Sequence, residues 1–258
     1  MLSLNEIKRF YPASIHFAGG FLIREYLHYK ILEAIYESDY AGSLVFMGGT
    51  CLRLIHGNNR FSEDLDFDNL KLNENEFAGI PQIIRQKMER EGYEIEIRSI
   101  HRKAFHCYIR FPRILFGEGL SGHREQKLLI QLDSETQGYA YQPEKYILNK
   151  FDVFTEIHIT PIKTLLAQKL YAVLNRNKNK GRDFYDIVFL LSIQKEPDWE
   201  YLDKKVNIQD PSGLKKALIE HCETINLEEM ARDVEPFLFD AKEIKKVLQF
   251  PDMIRQMF

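Results

Sequence analysis

Cysteine is scarce in this chain, and its spacing predicts no metal site or disulfide framework. Cys51, Cys107 and Cys222 are far apart, with no C-x-x-C pair. The sequence also lacks internal repeats and low-complexity linkers. No apolar stretch approaches the length needed to span a membrane, so we expect a cytoplasmic protein with no membrane partner.

The chain also lacks a strong excess of charge of either sign. Its 35 Lys and Arg against 38 Asp and Glu leave a net charge of -3, which gives no global attraction to nucleic acid. Any contact with nucleic acid must therefore come from local basic patches. At 258 residues, with 45% hydrophobic residues, the chain is long enough for one large domain or two small ones with a substantial core.

The most informative segment begins with an apolar run followed by two glycines. Leu44 to Met47 predicts a buried strand, Gly48 and Gly49 allow the backbone to turn sharply, and a helix can begin at Thr50. Backbone N–H groups at such a junction lie beside the positive end of the helix dipole and suit a phosphate group. We call Gly48–Thr50 the glycine turn.

A row of carboxylates follows the glycine turn. Asp64, Asp66 and Asp68 alternate with Leu65 and Phe67, and this period of two places the acids on one strand face and the apolar pair on the other. A phosphate site beside a row of carboxylates is typical of metal-dependent phosphoryl or nucleotidyl transfer. The acids would hold Mg²⁺ or Mn²⁺, and an NTP would be the substrate.

A third metal-binding acid is expected on a neighbouring strand. Asp133, at the end of a predicted strand, is the candidate, although it could instead begin a turn. Gln131, one strand step earlier on the same face, could occupy the same position.

The remaining pattern predicts a mixed sheet with helices on one side, followed by a helical region. We place a nucleotidyl-transfer core at residues 1–158 and a helical C-terminal subdomain, completing the active site, at 159–258. In chain order the predicted elements of the core, besides the segment above, are a helix at 21–38, a helix at 76–91 and strands at 93–100, 104–111 and 127–133.

Charged residues occupy apolar faces of the first two helices of this C-terminal region. Lys169 lies in the middle of an apolar stripe, and Arg176 lies almost in line with it. On the next helix, Asp183 and Asp186 share a face with apolar residues. Three explanations remain open: a lysine that reaches the triphosphate within a polar wall around a ligand, a lysine whose stem covers apolar surface while its charge stays in water, and a structural ion pair within an interhelical ion network.

Two basic tracts are candidates for contact with phosphates. From Lys163 to Arg182 the chain has six cations and no acid, which suits a nucleotide or an RNA backbone, with a solvated loop as the alternative. The second tract is interleaved with aromatic residues, of which Tyr108 could meet a base. Its cations are Arg98, Arg102, Lys103, Arg110 and Arg113.

Two blocks carry a resemblance to a known family. The runs FMGGTCLRLIHGNNRFSEDLDFDN and IKTLLAQKLYAVLNRNKNKGRDFYDIVFLL resemble the AbiEii nucleotidyltransferase toxins, the toxin component of type IV toxin–antitoxin and abortive-infection systems. Thr50 stands where many nucleotidyltransferases have serine, so a hydroxyl is retained. The resemblance implies an α+β, polymerase-β-like nucleotidyltransferase fold with a helical C-terminal part. Relatives of the MenT branch add nucleotides to the 3′ end of tRNA.

The resemblance also implies roles for particular residues. Asp64 and Asp66 would hold metal, Lys169 would match an essential lysine, and Asp183 would match a late essential aspartate. The nucleotide would be bound by the glycine turn and by cations, which are Arg53, Arg60, Lys169 and Arg176. The implied partners are an NTP, an RNA acceptor such as tRNA, and a cognate antitoxin encoded nearby. The family pattern does not fix the third acid.

Three other functions fit parts of the pattern. A nucleotidyltransferase that modifies a small molecule would share the fold, and a non-catalytic NTP-binding protein would share the nucleotide site. A D-x-D glycosyltransferase is a weaker alternative, because the glycine turn upstream of the acids favours the nucleotidyltransferase arrangement.

Overall fold

The computed structural model describes residues 1–101 and 104–258, which divide into two compact units. Unit 1 comprises Met1–Gly57 and Phe61–Ile159. Unit 2 comprises Asn58–Arg60 and Thr160–Phe258. The sequence placed one boundary near residue 158. It did not anticipate that Asn58–Arg60, just before the D-x-D motif (Asp64-Leu65-Asp66), belongs with the helical unit.

Unit 1 is built around a mixed sheet of seven strands within the described chain. Its strands are β1 (Leu44–Met47), β2 (Leu65–Asn69), β3 (Glu96–His101), β4 (Phe105–Phe111), β5 (Leu128–Glu135), β6 (Glu144–Lys150) and β7 (Val153–Ile159). Its helices are α1 (Leu4–Lys8), α2 (Gly19–Tyr36), α3 (Gly48–Leu54), α4 (Glu74–Phe77), α5 (Ile80–Arg90) and α6 (Ile114–Gly117).

The strand order is β3-β4-β5-β2-β1-β7-β6. β2 runs antiparallel to β1 and parallel to β5, and β1 runs parallel to β7; the outer pairs are antiparallel. Helix α2 packs against β7 and α5, while α3 packs against β1 and β2. The strand that carries the D-x-D motif therefore lies in the middle of the sheet, with neighbours on both sides.

The alternation of apolar and polar residues is confirmed where a strand buries one face. In β4, Cys107, Ile109 and Phe111 are buried, while His106 and Tyr108 are half-buried on the other face. The α+β class with a mixed sheet is likewise confirmed. Strands β6 and β7 were not predicted.

Unit 2 is helical, as the sequence predicted from Thr160 onward. Its helices are α7 (Ile162–Asn175), α8 (Gly181–Ile193), α9 (Trp199–Val206), α10 (Pro211–Glu223), α11 (Leu227–Val234), α12 (Lys245–Leu248) and α13 (Phe250–Met257). Helix α8 packs against α7 and α11, and α10 packs against α13. Fully buried Phe184 meets Phe250 edge to face, with 5.1 Å between ring centroids.

No helix in the described parts of the chain is sufficiently long and apolar to cross a lipid bilayer.

Candidate active site

Gly48 and Asp66 lie against each other where β1 ends and α3 begins. Met47 is the register partner of Asp66, and Gly48 adopts a φ of 77°, a left-handed conformation that favours glycine. A side chain at Gly48 would overlap the Asp66 carboxylate, because an added Cβ would lie 2.9 Å from Asp66 Cβ and Cγ. The glycine turn therefore leaves the space that the Asp66 carboxylate occupies.

Thr50 ties the glycine turn to the D-x-D segment through its side chain. Its fully buried hydroxyl donates a hydrogen bond to the Asp64 carbonyl oxygen. The bond fixes helix α3 to the residue that precedes β2, and it holds Asp64 and Asp66 in place relative to Gly48. The Thr50 hydroxyl thus has a structural partner, whereas the sequence predicted a triphosphate contact for this residue.

Asp66 and Asp133 are neighbours across two parallel strands. Asp66 on β2 pairs in register with Asp133 on β5, and Asp133 pairs with His106 on β4. The His106 Nδ1 lies 2.7 Å from Asp133 Oδ1, and the Gln131 amide nitrogen donates to both Asp133 oxygens at 2.8 Å. His106 and Asp133 are each about a third exposed. Gln131 therefore orients Asp133 and does not replace it.

Asp68 differs from Asp64 and Asp66 because it is almost fully buried. Its carboxylate accepts hydrogen bonds from the Gln137 N–H and from the Tyr141 hydroxyl, both at 2.9 Å. Asp64 and Asp66 are half-buried. Asp68 therefore anchors the chain that follows β5, while Asp64 and Asp66 are accessible to a ligand.

Arg53, on α3, contacts the buried carboxylate of Glu25. Its Nε donates to Glu25 Oε2 at 2.8 Å, and Lys150 Nζ lies 3.1 Å from Glu25 Oε1. Burial alone would raise the pKa of Glu25, but the two cations hold it below its usual value. The sequence singled out Arg53 as a nucleotide ligand and missed both Glu25 and Lys150.

In unit 2, the buried carboxylate of Asp186 is the centre of an ion network. Arg60 donates to it from Nε and from a terminal nitrogen, each at 2.6 Å, and Asn58 Nδ2 donates at 2.8 Å. Lys169 Nζ lies 2.9 Å from the same carboxylate. Burial would raise the pKa of Asp186, yet Arg60 and Lys169 hold it below its usual value. Arg60 is 2% exposed and contacts this carboxylate; the sequence predicted a phosphate contact for it.

Asp183 extends the network toward the surface. It accepts from Lys169 at 2.9 Å and from Arg176, whose side chain is 42% exposed. Burial would lower the pKa of Lys169, but the two aspartates raise it above its usual value. Of the three explanations for these charged faces, the interhelical ion network is the arrangement present in unit 2.

The two basic tracts differ in how much of them the structure describes. The loop between α7 and α8 is exposed at Arg176, Lys178 and Lys180. In the second tract, Arg110 lies over the Tyr108 ring, 5.8 Å from its centroid. Arg102 and Lys103 lie outside the described residues.

The sequence matches the model of a known protein family. The model of the family described as Nucleotidyl transferase AbiEii toxin, Type IV TA system, matches residues 30–252. The chain belongs to the AbiEii family. It is therefore a nucleotidyltransferase toxin, and membership implies an NTP substrate and an antitoxin partner. No curated protein matches the chain.

Two solved structures share the fold of this AbiEii protein. JHP933 from Helicobacter pylori is 18% identical with a TM-score of 0.59, over 92% of this chain and 91% of JHP933. A second H. pylori structure, described as a candidate nucleotidyltransferase, has the same identity and TM-score over 92% of this chain and 93% of its own. At this identity the likeness shows the fold alone.

The acids of the AbiEii chain fit a divalent metal by their chemistry. Asp64, Asp66 and Asp133 offer carboxylate oxygens, the ligands that Mg²⁺ prefers. Across residues 1–101 and 104–258, no three His, Cys, Asp or Glu side chains converge closely enough to form a complete metal site. Mg²⁺ bound at these acids would take one or two carboxylates and share its remaining coordination with the substrate phosphates.

Proposed function

We propose that this AbiEii toxin transfers a nucleotide from an NTP to the 3′ end of an RNA, with tRNA as the acceptor. The RNA 3′-hydroxyl oxygen forms a bond to the α-phosphorus. The bond between the α-phosphorus and the bridging oxygen breaks, pyrophosphate leaves with the bonding electrons, and the hydroxyl proton is released to solvent.

The observation that carries the proposal is the position of Asp66. This half-buried carboxylate lies against the glycine turn on one side and beside Asp133 on the other. Asp64 and Asp66 would hold the metal together with oxygens of the substrate phosphates, and Asp133 is the candidate for a third acid. Bound there, Mg²⁺ would neutralise phosphate charge and lower the barrier to attack.

The backbone of the glycine turn would receive the triphosphate. Gly48 and Gly49 have no side chain to keep a phosphate away from the N–H groups, and Asp66 lies immediately beside Gly48. Thr50 supports this role indirectly, by fixing the turn to the Asp64 carbonyl. The exposed cations of the α7–α8 loop, Arg176, Lys178 and Lys180, support an RNA acceptor.

The transfer is tested by incubating the purified protein with each α-³²P-labelled NTP and a mixture of tRNA, total RNA and small metabolites. We expect label in RNA, with release of pyrophosphate, and its loss when the metal is removed with EDTA. Asp66→Asn should reduce labelling to background. Glu135→Gln is the matched control, because Glu135 lies on β5 two residues after Asp133 and is exposed.

The outcomes separate the parts of the proposal. Label that enters only small molecules would show that the acceptor is not RNA, while leaving nucleotidyl transfer intact. Labelling by Asp66→Asn at the wild-type rate would show that the acids of β2 do not carry the reaction. Sequencing the labelled 3′ ends would identify the nucleotide and the acceptor. The neighbouring gene is the expected source of the antitoxin, and its product should suppress the labelling.

A further inference from the structure

A cavity of about 310 Å³ lies beside α2, α3 and the edge strand β6 of unit 1. Two cations line it, Arg53 and Lys150, against one carboxylate, Glu25, so its ionisable lining carries a net charge of +1. The lining also includes two aromatic side chains, Tyr29 and Tyr146, and the amide side chain of Asn149. A concave, partly aromatic site with an unbalanced positive charge suits a small anion that carries a ring.

The ammonium of Lys150 is less well compensated than that of two other lysines with low exposure. Lys30 lies within 3.6 Å of three carboxylates and Lys169 contacts two, and in both cases the carboxylates raise the lysine pKa despite burial. Lys150 shares Glu25 with Arg53, and burial lowers the pKa of Lys150. An additional anion in the cavity would supply the missing compensation.

The shape of the β6–β7 hairpin holds Lys150 at the cavity. Phe151 adopts a φ of 61° in the turn, and its ring packs against Tyr26 and Tyr29, with centroid distances of 5.1 and 5.2 Å. The Lys150 ammonium lies 3.9 Å from the centroid of Tyr11. This packing fixes the cation before any ligand arrives, which lowers the entropy cost of binding.

The cavity is distinct from the D-x-D site. In the sheet, β1 and β7 lie between β2 and β6, so the two strands are three spacings apart, or about 14 Å at about 4.8 Å per spacing. Lys150 and Tyr146 are therefore too far along the sheet to act on a phosphate held at Asp66.

We propose that this cavity is a second nucleotide site, in which Arg53 and Lys150 bind a phosphate and Tyr146 stacks on the base. Tyr146 suits this role because it is 37% exposed and lines the cavity together with the two cations. The phosphate chemistry is the same for a free mononucleotide and for a nucleotide within an RNA strand. The proposal does not depend on the transfer reaction proposed above.

Binding is measured by calorimetry in EDTA, with inorganic phosphate, adenosine monophosphate and a short single-stranded RNA as probes. We expect the wild type to bind the nucleotide more tightly than inorganic phosphate. Lys150→Gln should weaken nucleotide binding about tenfold or more, because it removes a charge-assisted contact. Lys145→Gln is the matched control, since Lys145 lies on the same strand, is 68% exposed and pairs with Glu156.

Two further variants keep the result interpretable. Tyr146→Ala should weaken the binding of the nucleotide and leave the binding of inorganic phosphate unchanged. Lys150→Gln should weaken nucleotide binding by the same factor in the wild type and in an Asp66→Asn background, which separates this site from the D-x-D site. RNA binding that Lys150→Gln weakens, with no mononucleotide binding, would support the site and identify a strand as the ligand. Absence of binding for all three probes, or equal binding by wild type and a folded Lys150→Gln variant, would overturn the proposal.

Discussion

Removing the carboxylate of Asp186 should destabilise unit 2 strongly. Asp186 is fully buried and accepts hydrogen bonds from Arg60 and Asn58 while contacting Lys169. In Asp186→Ala, the cations Arg60 and Lys169 both lose a carboxylate that balances their charge. Loss of one member of a buried ion pair typically costs about 3–5 kcal/mol. Because Lys169 keeps Asp183, we expect the lower end, about 3 kcal/mol.

The chain offers a convenient reporter for this measurement. Its one tryptophan, Trp199, begins α9 in unit 2, so its fluorescence during urea unfolding follows the unit that contains the network. The double variant Arg60→Met, Asp186→Leu should recover most of the lost unfolding free energy, because neither charge of that pair is then left buried. A loss below about 1 kcal/mol for Asp186→Ala, the range of exposed pairs, would refute the reasoning.

The same network predicts a direction for pH dependence. The pKa of Asp186 is lower in the folded protein than in the unfolded chain, so its contribution is present above the unfolded pKa and is lost as the pH falls through the folded pKa. The pKa of Lys169 is raised, so its contribution is present below the unfolded value and is lost as the pH rises through the folded pKa. Unit 2 should therefore keep this stabilisation throughout the neutral pH range. In Asp186→Ala, the unfolding free energy should depend less steeply on pH under acidic conditions.

Three other substitutions test separate parts of unit 1. Gly48→Ala should abolish transfer, because the added Cβ overlaps the Asp66 side chain. Gly57→Ala is the control: Gly57 also has a positive φ, 76°, but open space surrounds it, so this variant should lose only about 1–2 kcal/mol of unfolding free energy and retain activity. Glu25→Gln should lower the denaturation temperature at neutral pH, since two neighbouring cations lose their buried carboxylate; an unchanged melting curve would contradict this. Burial lowers the pKa of His28 to about 4, so stability should fall as the pH drops from about 6.5 toward 4, and His28→Gln should remove that slope in acid titrations.

Local periodicity made the central part of unit 1 predictable. Leu44–Met47 is a short apolar run ended by glycines, and residues 65–68 alternate between apolar and acidic side chains, so both strands follow from neighbours in sequence. Strand β6 escaped prediction for a physical reason. β6 is an edge strand in which the consecutive residues Tyr146 and Ile147 are both exposed, so no apolar face marks it.

Partners far apart in sequence were the least predictable part of the site. Arg60 and Asp186 are 126 residues apart, and the sequence shows only that each is charged. The proximity of Arg60 to the D-x-D motif favoured a phosphate contact, but the chain passes through unit 2 at Asn58–Arg60 before it returns to β2. That excursion could not be read from composition, and it places Arg60 against the Asp186 carboxylate.

Asp66 and Asp68 are equivalent in the sequence pattern, and opposite behaviour is expected from them. The half-buried Asp66 lies beside Asp133, so Asp66→Asn relieves like-charge repulsion and should keep wild-type stability while abolishing transfer. Asp68 is buried and accepts from Gln137 and Tyr141, so Asp68→Asn should lose about 1–3 kcal/mol and retain transfer below its melting temperature.

Measuring urea unfolding and NTP labelling on both variants separates a carboxylate that serves a ligand from one that serves the fold. If Asp68→Asn lost labelling while fully folded, the row of acids would act as a unit, and burial would not be the property that distinguishes its members. If Asp66→Asn unfolded, its carboxylate would be a structural anchor, and the assignment of the metal to this edge of β2 would fail with it.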